Sequence, residues 1–292
     1  MGQLEGKKAI ITGGARGFGY EIASEFIRQG ADVSICSRNE KELEEALSRL
    51  LPLRTSDSRK VLTMRSDVSK ASDIDKLFEF SAAELGGIDI LVHNAGIQGP
   101  IGEFETNNWD EMLEVINVNL LGTLYCMRKA VEVFKQEHKG QASDKSIVNI
   151  SGGGATGARP YFMGYAVAKT GVVRATETLA KETAPYGIRV NAIAPGAMNT
   201  KMLDDILAAG EASGEEYQKS LRQKEGGGAS MKNAAELAVY LASDKAAGIT
   251  GRLISAVWDG WKDFDEHVSD IEGSDVYTLR RIIPKDRGFD WE

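Results

Sequence analysis

Lys7-Lys8-Ala9-Ile10-Ile11-Thr12-Gly13-Gly14-Ala15-Arg16-Gly17-Phe18-Gly19 reads as a short apolar strand, Lys7 to Thr12, running into a glycine turn, and Tyr20 to Gln29 continue with helical periodicity. Glycines let the backbone turn tightly and approach a pyrophosphate, while the N-terminus of the following helix offers free N–H groups and a partial positive charge. A dinucleotide is the natural guest. The spacing excludes two neighbours: a P-loop needs Lys and Ser/Thr where Tyr20 and Glu21 stand, and no glycine triplet here fits GxGxxG. What remains is TGxxxGxG. In a chain with 32 glycines, such a turn taken alone is also compatible with being only a turn.

Outward from that turn, short runs rich in β-branched residues alternate with longer amphipathic ones, the pattern of βαβ units on a parallel sheet. Further strands are expected at Asp32–Cys36, Val61–Arg65, Ile88–Val92, Ser146–Ile150, Ile188–Ile193 and Arg252–Val257. The clearest helices are Asn39–Leu50, Ala71–Leu85, Met112–Val133, Tyr165–Thr183 and Asn233–Ser243. Every connection can then be a right-handed crossover. The expected fold is α/β, a doubly wound seven-stranded parallel sheet with helices on both faces. One domain, residues 1–261, accounts for it, and residues 262–292 are expected to form a C-terminal extension packed on the domain or on a neighbouring subunit.

Of 292 residues, 42% are hydrophobic and 27% charged, which excludes a disordered or fibrous chain. Thirty-five basic against 43 acidic residues leave a net charge of −8, which argues against an electrostatic grip on nucleic acid or an anionic membrane. Cys36 and Cys126 lie in apolar segments and supply neither a disulfide framework nor CxxC metal spacing. The start MGQLEGKKAIITGG lacks the basic-then-apolar design of a signal peptide, and no run approaches about eighteen apolar residues. A cytoplasmic protein with a small-molecule partner is expected.

Beside the glycine motif stand, in order, Asp67-Val68 after the third strand, Asn94-Ala95-Gly96 after the fourth, Asn119 in Asn117-Val118-Asn119-Leu120, Tyr165 with Lys169, and Pro195-Gly196 followed by Thr200. From about Lys7 to Trp261 the chain resembles the short-chain dehydrogenase/reductase family of the TGxxxGxG and YxxxK type. The resemblance implies a Rossmann-like fold, an NAD(P)-dependent oxidoreductase acting on CH–OH or C=O, and a homodimer or homotetramer built through the long helices containing Tyr125 and Tyr165. It also implies roles. Gly13, Arg16, Gly17, Phe18 and Gly19 would cradle the cofactor, Asp67 and Val68 hold the adenine, and Asn94, Ala95 and Gly96 support the central strand and cofactor. Asn119 would relay protons, Tyr165 and Lys169 do the chemistry, and Pro195, Gly196 and Thr200 grip the nicotinamide amide.

At the end of the second strand an acidic side chain would bind a ribose 2′-OH and repel a 2′-phosphate. Ser37 and Arg38 stand there instead. A guanidinium takes a phosphate bidentately, and Arg16 can reach the same phosphate from the other side, so NADP(H) is expected over NAD(H). Two other readings of Arg38 stay open: a solvated helix-start residue, or a guanidinium stacked on adenine in an NAD enzyme.

Tyr165 and Lys169 are four apart on an expected helix, so both side chains leave one face about a turn apart. A phenol near pKa 10 is a poor base at neutral pH, but an adjacent ammonium and an oxidised nicotinamide both favour the phenolate. Tyr165 could then exchange a proton with a substrate hydroxyl or carbonyl while hydride moves. Lys169 could also bind ribose hydroxyls. Tyr125 with Lys129 has the same spacing, and Tyr277 with Arg281 a similar one. Context separates them: Tyr165 follows a strand end and glycine loop and precedes the strand that ends in Pro195-Gly196, whereas Tyr125 sits mid-helix and suits a core or subunit contact.

One position departs from the family. A serine usually stands thirteen residues before the tyrosine, and here that residue is Gly152, with Ser151 one place early in Ile150-Ser151-Gly152-Gly153-Gly154. Successive residues at a strand end point to opposite sides, so the Ser151 hydroxyl is set to face away. Three readings follow: the glycine run lets Ser151 swing in, a backbone N–H or another hydroxyl substitutes, or the protein binds NADP(H) with little or no turnover.

His93, His138 and His267 lack metal spacing, no Gly-x-Ser-x-Gly elbow occurs, and no metal is expected. Arg16 stands where the longer epimerase motif TGxxGxxG needs its middle glycine. Substrate selectivity is assigned to Ala197–Ser230, where Met198, Met202, Leu203, Ile206 and Leu207 at helical spacing form either a lid or a packed helix. In the extension, Arg280, Arg281, Lys285 and Arg287 are basic, and Tyr277, Phe289 and Trp291 flank them. It is expected either to fold over the substrate opening, with Trp258 or Trp261 as a wall and an arginine facing an anionic substrate group, or to pair with another subunit's acidic surface.

Overall fold

The computed structural model describes residues 2–139 and 142–291; Met1, Gly140, Gln141 and Glu292, the outer ends of the two expected divisions among them, lie outside the described residues. Seven parallel strands form one sheet: β1 (Lys8–Thr12), β2 (Asp32–Ser37), β3 (Val61–Arg65), β4 (Ile90–His93), β5 (Lys145–Ile150), β6 (Ile188–Ala194) and β7 (Leu253–Ser255). Their order is β3-β2-β1-β4-β5-β6-β7. β1 and β4 are neighbours although two strands separate them in the chain, so the winding reverses between them and their carboxyl ends open a crevice.

Strands so rich in Ile and Val must be covered on both faces. On one face α1 (Gly17–Arg28), α2 (Glu40–Leu50) and α9 (Met231–Ala242) bury Ile22, Phe26, Leu43, Leu237 and Leu241 against Ile11, Val33 and Ile35. On the other, α3 (Ala71–Leu85), α5 (Gly122–Glu137) and α6 (Met163–Thr183) bury Ile74, Phe78, Cys126, Phe134 and Ala180 against Ile10, Leu91 and Ile147. Cys36 and Cys126 are free and buried. Burial pushes both thiols up, Cys36 to about 12, so both stay protonated.

Two expected elements are corrected. The helix expected over Met112–Val133 is α4 (Trp109–Ile116), a π-turn over Asn117–Leu121, and then α5. It starts earlier because the Asn108 side chain accepts from the N–H groups of Asp110 and Glu111. The strand expected over Arg252–Val257 stops at Ser255, because Asp259 Oδ2 accepts from the Ser255 N–H at 2.6 Å and Ser255 Oγ accepts from the N–H groups of Val257 and Trp258. Those bonds favour a turn over a ladder.

After that turn come a helical turn over Trp261–Glu266 and the short helix α10 (Val268–Glu272), neither of which sequence periodicity reveals. The chain then returns along β7, where the Leu253 N–H donates to Tyr277 O at 2.8 Å. Arg252, 8% exposed, holds it there by donating to the carbonyls of Ser274 (3.0 Å), Val276 (2.8 Å) and Ile271. Arg174 and Glu177 of α6 bind the carbonyl and the N–H of Leu279. Hydrogen bonds to a charged donor contribute about 1.5–3 kcal/mol each at most, and truncation leaves carbonyls unpaired. Arg252→Ala is therefore expected to lower the unfolding free energy by about 2–4 kcal/mol and to expose residues 262–291 to limited proteolysis; wild-type stability and an unchanged cleavage pattern would refute this clamp.

Candidate active site

The glycine turn after β1 is held by the loop after β4. Thr12 Oγ1 accepts from the N–H groups of Asn94 and Ala95, both at 3.1 Å, and Asn94 Nδ2 donates to the carbonyls of Thr12 and Gly13, both at 3.1 Å. Side chains could not enter. A Cβ on Gly13, whose φ is +65°, would lie 3.0 Å from Ala95 Cα, and one on Gly19 would lie 2.1 Å from Gly13 O. Arg16, the residue before α1, gives no side-chain acceptor to the first-turn N–H groups. The result is a bare backbone cradle at a helix N-terminus, the arrangement a pyrophosphate requires.

A cleft of about 1090 Å³ runs from this cradle across the carboxyl ends of the strands. Gly13, Arg16, Gly17, Phe18, Gly19, Ser37, Arg38, Asp67, Val68, Asn94, Ala95, Gly96, Ser151, Tyr165, Lys169, Pro195, Gly196 and Thr200 all line it. The expected site residues are thus brought together from seven segments, with one exception. Asn119 is fully buried in the π-turn and does not reach the cleft: its Oδ1 accepts from the Ile97 N–H at 2.9 Å and its Nδ2 donates to Ile97 O at 2.8 Å. Its side chain braces the loop that carries Gly96. A Cβ on Gly96 would lie 3.2 Å from Asn119 Oδ1 and 3.7 Å from Lys169 Nζ, so the brace and the lysine meet there.

At one end of the cleft Arg38 pairs with Glu114 at 3.4 Å and Arg16 with Glu42 at 3.2 Å, all at least partly exposed. Burial opposes the charge of Asp67, but the Ser69 N–H and hydroxyl, helped by Arg38 and Lys70, outweigh it and hold the carboxyl below its usual range.

At the other end α6 presents Tyr165 and Lys169, 7% and 3% exposed. Lys169 Nζ donates to Ile150 O at 2.7 Å, and burial pushes its ammonium down to about 8. Burial pushes the Tyr165 phenol up, and the Arg159 guanidinium opposes that rise. Tyr165 Oη lies directly over Gly152, where a Cβ would come within 2.4 Å of it. Position 152 therefore faces the phenol. The Ser151 hydroxyl, one residue earlier, is buried without a hydrogen-bond partner among the described residues.

His93, at the end of β4, is also buried. Burial, with Lys169 nearby, pushes it down to about 3, so the ring is neutral. Thr123 Oγ1 donates to Asn119 O at 2.7 Å and lies 3.1 Å from His93 Nδ1, so Nδ1 carries the proton and donates to Thr123. Tyr125, the decoy, points away to Asp75 at 3.1 Å.

Sequence reasoning missed the far wall. Arg159, Glu216 and Lys219 line the cleft, as do Tyr277, Thr278 and Leu279 of the extension. Met198, Met202, Leu203 and Ile206 lie on the cleft around α7 (Lys201–Ala209), and α8 (Glu215–Gly226) follows it. Trp258 lines the cleft, but Trp261 packs on Tyr240 with ring centroids 5.9 Å apart. The expectation of a tail arginine in the site is corrected: none lines the cleft, and Arg280 is drawn away by Asp275 at 2.8 Å and Asp286 at 2.6 Å. Among the described residues no group of His, Cys, Asp and Glu is placed to hold a metal, and no helix is long and apolar enough to cross a membrane.

Residues 13–258 match a family model described as enoyl-(acyl carrier protein) reductase. The 3β-hydroxysteroid dehydrogenase 1 of Eggerthella lenta is 34% identical over 251 residues, covering 86% of this chain and 92% of that one. A short-chain dehydrogenase from Mycobacterium smegmatis superposes with a TM-score of 0.71 at 27% identity over 88% of this chain and 93% of its own. An actinorhodin polyketide ketoreductase solved with NADPH gives 0.77 at 27% identity, covering 87% and 97%. The chain belongs to the short-chain dehydrogenase/reductase family and is an oxidoreductase.

The buried ammonium carries a measurable signature. Between about pH 8 and the ordinary lysine value of 10.5, folded Lys169 has released a proton that the unfolded chain still holds, so its contribution to stability rises with pH. Below pH 8 both states hold the proton and the burial cost is complete. In urea titrations the stability difference between wild type and Lys169→Met is expected to move by about 3 kcal/mol in favour of wild type across that window; a difference flat in pH would contradict it.

Proposed function

We propose that the protein is an NADP(H)-dependent oxidoreductase that interconverts a carbonyl and a secondary alcohol, with Tyr165 as acid/base. The observation that carries the reading is the joint placement of Tyr165 and Lys169, on one face of α6, in the cleft whose other end is the Gly13–Gly19 cradle. Those glycines fit a dinucleotide because any side chain at Gly13 or Gly19 would close the cradle. Bound there, the cofactor would supply or accept the hydride. Gly13, Gly17, Phe18 and Gly19 would hold its pyrophosphate side, Asp67 and Val68 its adenine, and Pro195, Gly196 and Thr200 its nicotinamide. Thr200 lies against Gly17 on the cleft lining, a Cβ on Gly17 coming 3.9 Å from Thr200 Cγ2.

In reduction, Tyr165 Oη gives its proton to the substrate oxygen; in oxidation it takes one back. Lys169 favours the phenolate left behind, and its hydrogen bond to Ile150 O sets the ammonium on the strand end that carries Ser151 and Gly152. Asn119 holds the Gly96 loop against that pair and so supports a proton relay rather than touching substrate. The unpaired Ser151 hydroxyl is the candidate for the missing serine's bond to substrate oxygen. Apolar side chains left exposed on α4, the π-turn, α5 and α6, among them Trp109, Leu113, Leu121, Leu124 and Val167, support a homodimer or homotetramer built on these helices.

Phosphate selectivity rests on Arg38 and Arg16. Exposed ion pairs such as theirs contribute only about 0–1 kcal/mol, so a 2′-phosphate dianion readily displaces Glu114 and Glu42. Fluorescence titration is expected to show NADPH binding more tightly than NADH, and Arg38→Ala to weaken NADPH about 10–100-fold while leaving NADH much less affected. Tighter binding of NADH would reverse the assignment.

Gly152 favours one other reading, an NADP(H)-binding protein with little turnover. Both readings bind NADPH; only the enzyme loses reduced-nicotinamide absorbance when a carbonyl panel is added. Tyr165→Phe is expected to abolish that loss, by at least about a thousandfold if the phenol is the acid, and Ser151→Ala to lower it. Full activity in Tyr165→Phe would remove Tyr165 from the chemistry.

A further inference from the structure

Arg159 lies in the loop between β5 and α6, and its side chain is 15% exposed. Its guanidinium stacks over Phe162 at 3.9 Å and stands 5.6 Å from the Tyr165 ring centroid. A Cβ on Gly153 would lie 3.7 Å from its Cδ and Nε, while one on Gly152 would meet Tyr165 Oη. Guanidinium and phenol thus cover consecutive residues of a single glycine run, whose Cα atoms are about 3.8 Å apart.

Among the described residues the only ion pair or hydrogen bond of that guanidinium is Nη2 to Glu216 Oε2 of α8, at 3.4 Å. Glu216 is shared with Lys219 at 3.2 Å, so two cations meet one carboxylate on this wall. A guanidinium has five N–H donors in a planar fork, and with only Nη2 engaged by Glu216 the remaining donors are left to meet an acceptor in the cleft. The fork matches a carboxylate bidentately. The same cleft also has an apolar wall, with Met198, Met202, Leu203 and Ile206.

We propose that Arg159 binds a carboxylate of the substrate, and that the reacting pair is an oxo acid and its hydroxy acid with the carboxylate within a few bonds of the reacting carbon. The assignment rests on the carbonyl/alcohol reading above and names its substrate class. In the reducing direction the C=O π bond breaks, a C–H bond forms with hydride from the dihydronicotinamide, which is oxidised, and an O–H bond forms with the proton of Tyr165. The carboxylate takes no part in electron flow; it fixes the carbonyl oxygen at the phenol, work that the family's serine would share and that Gly152 cannot do.

The test uses pyruvate, acetoacetate and levulinate, each against its methyl ester, with NADPH and wild type, Arg159→Lys or Arg159→Gln. For at least one pair, wild type is expected to favour the acid in kcat/KM by tenfold or more. Arg159→Gln should lose about 10–100-fold on that acid, chiefly in KM, with a much smaller loss on the ester, and Arg159→Lys should recover part of it. A second readout needs no turnover: in a Tyr165→Phe background the acid should shift the fluorescence of bound NADPH, and Arg159→Gln should abolish that shift. Preference for esters, or equal losses on acid and ester as expected of a merely structural Arg159–Glu216 tie, overturns the proposal. If no carbonyl is reduced, the carbonyl/alcohol reading fails and the fluorescence assay decides alone, with absence of carboxylate binding overturning the role of Arg159.

Discussion

Thr12 and Asn94 tie together the two strand ends between which the winding of the sheet reverses. One hydroxyl accepts two backbone N–H groups of the opposite loop, and one amide returns two bonds to the carbonyls of Thr12 and Gly13. A loop in the left-handed region has few ways to satisfy its own polar groups, and here the neighbouring strand end satisfies them. Everything that makes the cleft usable depends on that tie, because it fixes the glycine cradle against the loop that carries Gly96. Asn119 then fixes Gly96 from below, and Lys169 stands where the two supports meet. Where the π-turn around Asn119 ends, Gly122 passes so close to Val68 that a Cβ would sit 2.5 Å from its carbonyl oxygen.

Around Tyr165 and Lys169 burial is set against charge. Withdrawing Tyr165 and Lys169 from water disfavours both the phenolate and the ammonium, and a cation at Arg159 works against the first of these. Gly152 and Arg159 flank the same phenol. Removing the side chain at 152 brings the phenol onto the backbone, and the run of glycines that follows leaves room for a guanidinium beside it. The extension completes the enclosure from outside the family's shared length: Tyr277, Thr278 and Leu279 reach the cleft because Arg252, Arg174 and Glu177 hold their backbone and that of the preceding residues. The apolar residues around α7 close the remaining side.

The strand-turn-helix at Lys8–Arg28 and the alternation that follows it were legible in the sequence because period-2 and period-3.6 patterns are local, and so were Tyr165 and Lys169, whose meaning lies in spacing along one helix. The end of the last strand and the break in the Met112–Val133 helix were not legible, since the Asp259 side chain ends the strand and the break lies where the chain packs against the distant Val68 carbonyl. The same limit applies to chemistry. By itself the sequence determined the sheet, the glycine cradle and the family, all of which follow from short-range patterns. Only the tertiary structure decided that Asn119 is a brace, that position 152 faces the phenol, that Arg280 of the tail is spent on the tail's own carboxylates, and that Arg159 is the guanidinium beside Tyr165. Each of those depends on which distant side chain shares a small volume, and burial, contact and charge pairing are properties of that volume rather than of any stretch of chain.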